Sequence, residues 1–224
     1  MTRVVICGAE GRMGKLLVTC AQEDAALELV GEIADGGDLN AIIKKADVVV
    51  DFTVHTATLG IAQIAARHQI PLVIGTTGHT VSERKEILDV VREIPVVFTS
   101  NFSTGVNVLF YLTRMAGELL SNASVEISET HHTKKLDAPS GTAKSLQQIL
   151  EKIRGQSVPV ESHRVGDVVG EHTVTFSTPD ETIELTHKAI DRATFARGAL
   201  RAAKWVVSQE PGLYDMQNVL GLEK

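Results

Sequence analysis

The chain has 224 residues, 43% of them hydrophobic and 22% charged, an ordinary globular composition that allows one large domain or two small ones. Its core is sizeable enough to fold without disulfide staples. With 28 acidic against 22 basic side chains and a formal charge of −6, it lacks the basic footprint of a nucleic-acid binder. No apolar stretch approaches the ~20 residues needed to span a bilayer. The N-terminus runs straight into a strand, without a charged n-region and long apolar h-region, so the expected compartment is the cytoplasm, with no membrane partner. Cys7 and Cys20 fall in apolar patterns and read as small core hydrophobes rather than as ligands or a bridge.

Arg3–Cys7 is a short β-branched run, followed by glycines and a helical stripe from Met13 to about Ala21. Leu27–Ile33 is a second run, ending at Ala34-Asp35-Gly36-Gly37, and Ala46–Thr53 a third. Ala57, Ile61, Ile64 and Ala65 repeat at helical spacing, and Pro71–Gly75 reads as a fourth strand. Thr80-Val81-Ser82-Glu83 has capping-box form and opens a helix, after which Pro95–Thr99 is a fifth strand. Continuous apolar strands separated by helices predict a parallel sheet covered on both faces.

After Asn101 the pattern changes. A helix from about Gly105 to Leu120 leads into Ser124–Thr130, and a second helix begins at Ser140. Val158–Val165, Glu171–Thr178 and Thr182–Lys188 follow as β-type segments, the last two joined at Pro179-Asp180 as a hairpin. Val174, Phe176, Ile183 and Leu185 alternate with Thr173, Thr175, Glu184 and Thr186, giving one apolar and one polar face. This is antiparallel, α+β patterning. A closing helix spans roughly Thr194–Ser208. The expected fold is therefore α/β: a Rossmann-type parallel sheet domain plus a smaller α+β domain with an open mixed sheet.

The strongest signal in the first half is Gly8-Ala9-Glu10-Gly11-Arg12-Met13-Gly14, which follows a strand and opens a helix. Glycines there let the backbone turn tightly and let a pyrophosphate approach the free N–H groups of the helix N-terminus. The spacing is GxxGxxG, with Glu10 where the common fingerprint has its second glycine, so alone it is a weak match. Asp35 ends the second strand about twenty residues on, where an acid meets the adenosine ribose. Gly75-Thr76-Thr77-Gly78 and Ser100-Asn101-Phe102 end the fourth and fifth strands, the edge where such sheets bind ligands. Together these predict a cofactor, NADH or NADPH. Gly36 follows Asp35 where an arginine would receive a 2′-phosphate, which favours NADH; Arg12 keeps NADPH open.

The densest chemistry is the run Glu129-Thr130-His131-His132-Thr133-Lys134-Lys135-Leu136-Asp137-Ala138-Pro139-Ser140-Gly141-Thr142-Ala143. Ser140 reads as an N-cap, which leaves the N–H groups of Gly141 and Thr142 at a helix N-terminus as an anion site. The lysines add positive charge and the histidines add groups that titrate near neutral pH. This describes a pocket for a carboxylate or phosphate with a proton-transfer group beside it. Adjacent histidines on a strand point to opposite faces, so both reach one pocket only if the strand has ended. The pair lacks metal-site spacing and no metal is expected. Lys134-Lys135 by itself also reads as a solvated loop.

At this run the sequence resembles the 4-hydroxy-tetrahydrodipicolinate reductase family, and the resemblance extends over essentially the whole chain. It covers Gly8–Gly14, Asp51–Thr53, Gly75–Gly78, Asn101–Asn107, Phe195–Trp205 and the closing GLYDMQNVLGL. The resemblance implies that Gly8 through Met13 hold the pyrophosphate, Asp35 the ribose, and Gly75–Thr77 with Thr99, Ser100, Asn101 and Phe102 the nicotinamide half. It implies His131 and Lys135 as the proton-transfer pair. His132, Gly141, Thr142 and Arg192 would bind a small dicarboxylate substrate. It also implies a dinucleotide-binding domain of residues 1–102 and 192–224, a substrate and oligomerisation domain of residues 103–191, and a homotetramer built through the second domain's sheet.

Two departures stand out. Only fifteen residues separate Asp35 from Asp51, where many members have more, so the loop flanking the adenosine is expected to be abbreviated. Thr133-Lys134 replaces an arginine and histidine found in many members. The implied reaction passes hydride to ring C4 of the cyclic imine, with the proton from Lys135 and His131 as the alternative donor or relay. A different imine or amino-acid dehydrogenase and a silent NAD-sensing module are the competing readings; turnover on the cyclic dicarboxylate separates them.

Overall fold

The computed structural model describes residues 1–222, which form two compact units: Met1–Ser103 with Ala193 onward, and Thr104–Arg192. The first unit opens with β1 (Thr2–Cys7), α1 (Arg12–Glu23), β2 (Leu27–Ile33) and the short α2 (Leu39–Ile42). It continues through β3 (Val48–Asp51), α3 (His55–Arg67), β4 (Leu72–Ile74), α4 (Val81–Val90) and β5 (Pro95–Phe98). The last helices and strand return to it: α7 (Ala193–Val206), β10 (Gly212–Tyr214) and α8 (Met216–Leu220). The second unit holds α5 (Thr104–Leu119), β6 (Ser124–His131), α6 (Gly141–Arg154), β7 (Val160–Arg164), β8 (Gly170–Ser177) and β9 (Thr182–Ala189).

The first sheet runs β10-β5-β4-β3-β1-β2, with every pairing parallel. Val4–Cys7, Val48–Val50 and Leu72–Ile74 have no exposed surface, which is why these strands are apolar without alternation. One core lies between the sheet and α1, α7 and α8; the other lies under α3 and α4. The strand order reverses between β1 and β3, so the crevice beyond their carboxyl ends is where such a sheet takes a ligand. The capping box at Thr80 and Glu83 forms as expected. Cys7 and Cys20 are buried, and neither is in a disulfide among the described residues. The segment after Asp35 is compressed into α2 and a 3-10 turn over Ile43–Lys45, with the Asp38 side chain capping α2.

The second sheet runs β7-β6-β8-β9. β6–β8 and β8–β9 are antiparallel and β7 lies parallel to β6, which gives the expected mixed sheet and limits the antiparallel patterning to β6, β8 and β9. The physical reason is the connection: α6 carries the chain back across the sheet between β6 and β7, and such a crossover returns the strand in parallel. Ile127, Val174 and Phe176 pack with Leu109, Leu146 and Leu150. Thr173 and Thr186 face each other on the opposite side, their hydroxyls 3.0 Å apart. Among the described residues no helix is long and apolar enough to cross a membrane.

Candidate active site

In the first unit a cleft of about 560 Å³ opens at the carboxyl ends of β1, β2 and β3. Gly8, Glu10 and Gly11 form one wall; Asp35, Gly36, Gly37 and Asp38 form another; Ile33, Leu39, Ala57, Ile61 and Ile64 make it apolar. Gly8 has φ +82 and its N–H donates to Ile33 O at 2.8 Å, so the turn needs a left-handed residue there. Gly11 caps α1 with no side-chain hydrogen bond, which leaves the first N–H groups of that helix for an anion. These features fit a dinucleotide: an uncapped helix end for the pyrophosphate, an apolar slot for a base and a carboxylate at the ribose position.

The other predicted cofactor residues are spread around this edge. Ala9 is buried, Met13 is half-buried, and Glu10 and Arg12 are exposed, with Arg12 outside the cleft lining. Asp35 is exposed two residues beyond the end of β2 rather than on the strand. Gly75 lies under the Phe52 ring, where an added Cβ would come within 2.1 Å of it. Thr76 is buried, its hydroxyl donating to Asp51 Oδ1 at 3.0 Å and accepting from Thr53 N at 2.9 Å, so only its backbone is free to meet a ligand. Thr77 and Ser100 are exposed and Thr99 is half-buried. Asn101 Oδ1 accepts from Ser103 N at 2.9 Å. Phe102 is a core residue, its ring 5.6 Å from that of Phe52. Asp51 was not singled out by the sequence reading. It is fully buried and accepts hydroxyl hydrogen bonds from Thr53, Thr58 and Thr76 at 2.6, 2.8 and 3.0 Å, tying the ends of β3 and β4 to α3.

In the second unit His131 is the last residue of β6, and His132 lies just beyond it, released from strict strand alternation. His131 is buried and its Nδ1 meets Glu129 Oε2. Glu129 Oε1 accepts from Arg164 Nη2 at 3.0 Å and from Ser140 N at 3.2 Å. Burial by itself would raise the Glu129 pKa, but hydrogen bonds led by that from Arg164 outweigh it and hold the carboxyl at about 2. Burial also lowers the His131 pKa; Glu129 opposes that, while Lys135 and Arg164 add to it. His172 crosses His131 edge-on, with ring centroids 5.1 Å apart, and its Nε2 lies 3.1 Å from Ser140 Oγ.

Lys135 Nζ pairs with Asp137 Oδ1 at 2.7 Å. Arg164 also donates to the Lys135 carbonyl at 3.3 Å, pinning the loop that carries the lysine. Ser140 caps α6 as expected, its Oγ accepting from Ala143 N at 3.2 Å. A Cβ added at Gly141 would meet nothing within 4 Å, so the helix end is open to an anion; Thr142 beside it is half-buried. Arg192 Nη2 lies 3.3 Å from His132 Nε2. Among the described residues His132 Nδ1 is buried without a hydrogen-bond partner.

Glu129, His172 and Arg164 were missed by the sequence reading. Glu129 carried a usable signal, since it stands two residues before His131 and so shares its face. Glu129, His131 and His172 each place one ligand-type atom within 4.8 Å of the others. Both Glu129 oxygens are already engaged, one by Arg164 and Ser140 and one by His131, which makes this a hydrogen-bonded cluster.

His172 has a consequence for stability. Burial first, then the neighbouring His131, pushes its pKa from 6.5 to about 3. Its folded pKa lies below its unfolded one, so the unfolded chain binds the proton first and stability falls as pH drops below 6.5. The steepest slope from this one residue is about 1.4 kcal/mol per pH unit. Urea unfolding at pH 7, 6 and 5 should show that loss, and His172→Gln should flatten it.

A parallel sheet with a glycine turn feeding an uncapped helix, and a second unit with a buried carboxylate–histidine pair beside an open helix end, define a two-unit α/β oxidoreductase of the pyridine-nucleotide type. The family model for the dihydrodipicolinate reductase N-terminus matches residues 2–102, and that for its C-terminus matches residues 105–220. The chain belongs to the dihydrodipicolinate reductase family. It is 44% identical to the 4-hydroxy-tetrahydrodipicolinate reductase of Methanoregula boonei over 254 aligned positions, covering 100% of both chains. It is 43% identical to that of Akkermansia muciniphila, again over 100% of each. Among solved structures, the dipicolinate-bound dihydrodipicolinate reductase of Paenisporosarcina sp. TG-14 superposes with a TM-score of 0.86 at 23% identity, over 97% of this chain and 99% of that one.

Proposed function

We propose that the chain reduces 4-hydroxy-tetrahydrodipicolinate to tetrahydrodipicolinate with NADH or NADPH, in the diaminopimelate route to lysine. The observation that carries this reading is the open N-terminus of α6, tied through Ser140 N and Glu129 to the buried ring of His131. An anion site and a proton-transfer group are thereby held by one carboxylate. Gly141, Thr142, His132 and Arg192 bind the substrate carboxylates and fix its orientation. Gly8 through Met13 would hold the pyrophosphate on the α1 end, Asp35 the ribose, and Gly75–Thr77 with Thr99–Phe102 the nicotinamide half. Bound reduced cofactor supplies a hydride to ring C4 after the C4 hydroxyl has left as water. The ring carbanion is quenched by the proton of Lys135, with His131 as the alternative donor or relay. The deciding assay follows absorbance at 340 nm with freshly generated 4-hydroxy-tetrahydrodipicolinate. Substrate-dependent oxidation supports the reading, and cofactor binding without oxidation overturns it.

The reading favours NADH. Three carboxylates, Glu10, Asp35 and Asp38, line the cleft, and among the described residues no lysine or arginine does. A 2′-phosphate near these groups meets a repulsion of about 1–3 kcal/mol at solvent-like dielectric. NADH is therefore expected to bind about 10–100-fold more tightly than NADPH at low salt, with the gap narrowing as ionic strength rises. Dissociation constants from nucleotide fluorescence check this, and equal affinities would remove the argument. For assembly, the polar face of the second sheet and its exposed edge strand β9 support a homotetramer built through that sheet; light scattering on the eluted protein tests it.

A further inference from the structure

Resting on the proposed reductase reading, we propose that Glu129 is the positioning residue of the proton-transfer site. It locks His131 in the tautomer that carries hydrogen on Nδ1, leaves Nε2 as the nitrogen that exchanges protons, and couples that ring to the anion-binding end of α6.

The argument begins with what each oxygen of Glu129 does. Oε1 is occupied by the Arg164 guanidinium and the Ser140 N–H. Oε2 faces His131 Nδ1. Held ionised by Arg164, this carboxylate has only lone pairs to offer, so the partner nitrogen must bring the hydrogen. The tautomer follows, and Nε2 is left with its lone pair.

Two further contacts support the assignment. A Cβ added at Gly170 would lie 2.9 Å from His131 Nε2, so bare backbone is what leaves that edge of the ring its space. His172, kept neutral by burial, braces the ring edge-on and bonds the same Ser140 whose N–H sits on Glu129. The N-cap of α6 is thus joined to His131 by two routes, one through Glu129 and one through His172. A shift of the helix end on binding a dicarboxylate would be felt at the ring. The charged and titratable groups facing His131 are Glu129 on its own strand, Arg164 from β7, His172 from β8, and Lys135 and Asp137 from the loop before α6.

The test uses the intact protein with 15N-labelled histidine. In the unmodified chain, His131 should show hydrogen on Nδ1 and titrate at Nε2. A ring with hydrogen on Nε2 and a bare Nδ1 overturns the proposal without any variant. Glu129→Gln should lower the His131 pKa, because the carboxylate that favours the charged ring is gone. It should also lower kcat by about 10²-fold, the low end of what a placed acid–base group contributes, and move the alkaline limb of the kcat profile to lower pH. The substrate KM should stay within about threefold, since the helix end is retained. Glu129→Asp should recover part of the loss, and His131→Ala should abolish the effect of Glu129→Gln. A folded Glu129→Gln protein with an unchanged His131 pKa and an unchanged limb overturns the proposal. If the 340 nm assay fails while the tautomer and its response to Glu129→Gln hold, the substrate reading falls and the pairing stands.

Discussion

Lys135→Ala is expected to lower kcat by about 10²–10⁴-fold, the range contributed by a positioned acid, with the NADH dissociation constant unchanged within about twofold. The separation follows from where the residue sits. Lys135 belongs to the loop of the second unit, pinned through its carbonyl by Arg164 and through its ammonium by Asp137, whereas the cleft that fits a dinucleotide is lined wholly by the first unit. The hydrogen bond from Lys135 lowers the Asp137 pKa, and the same contact fixes where the Lys135 side chain points. Asp137→Asn should free the Lys135 side chain from its anchor. A smaller loss of kcat, about tenfold, is expected for a group that has lost its orientation and not its chemistry. Steady-state kinetics with saturating NADH measure both. Unchanged turnover in Lys135→Ala would remove the lysine from the reaction and leave His131 as the donor.

The contrast between these residues and their neighbours also shows what a sequence reveals. The β1, β3, β4 and β5 strands were legible because burial on both faces leaves continuous apolar runs, and Ser140 and Thr80 were legible because a cap is a local contact. β10 was not: three residues after Pro211, Gly212-Leu213-Tyr214, are too few to show a period, and they become a strand only by pairing with β5. The direction of β7 was hidden for a related reason. Alternation reports which face is buried and says nothing of which way the chain runs. The site divides along the same line. Gly8, His131, Lys135 and Gly141 stand in runs whose spacing has a local meaning. Arg164 reaches Glu129 across 35 residues, and Ser140 reaches His172 across 32. Those partners are created by strand register, which pairs His131 with Arg164 and Glu129 with His172. Thr76 adds a detail the loop sequence does not show: its hydroxyl is engaged by Asp51, which leaves its backbone to meet a ligand.

Gly14→Ala is expected to abolish useful NADH binding, weakening it by at least about 10²-fold, and to destabilise the fold by about 1–3 kcal/mol or more, the cost of overpacking a tight interior. An alanine Cβ at Gly14 would stand 1.9 Å from Gly8 O and 2.7 Å from both Ala9 C and Ala9 Cα. All three are backbone atoms, so no rotamer relieves the clash and α1 must move away from the turn. That turn is fixed from the other side, since Gly8 donates to Ile33 O and an added Cβ on Gly8 would meet Phe52 O at 2.4 Å. Displacing the helix separates its free N–H groups from the glycines, and both are needed for one anion. Gly60→Ala is the matched control. Gly60 lines the same cleft, lies inside α3 and has nothing within 4 Å of an added Cβ. There the substitution should stabilise the protein by about 0.5–1 kcal/mol by removing a flexible residue from a helix. Thermal melting with NADH titration distinguishes the two. If Gly14→Ala bound NADH as tightly as the unmodified chain, the α1 end would not be the pyrophosphate site, and the first unit would have to hold its cofactor elsewhere along the sheet.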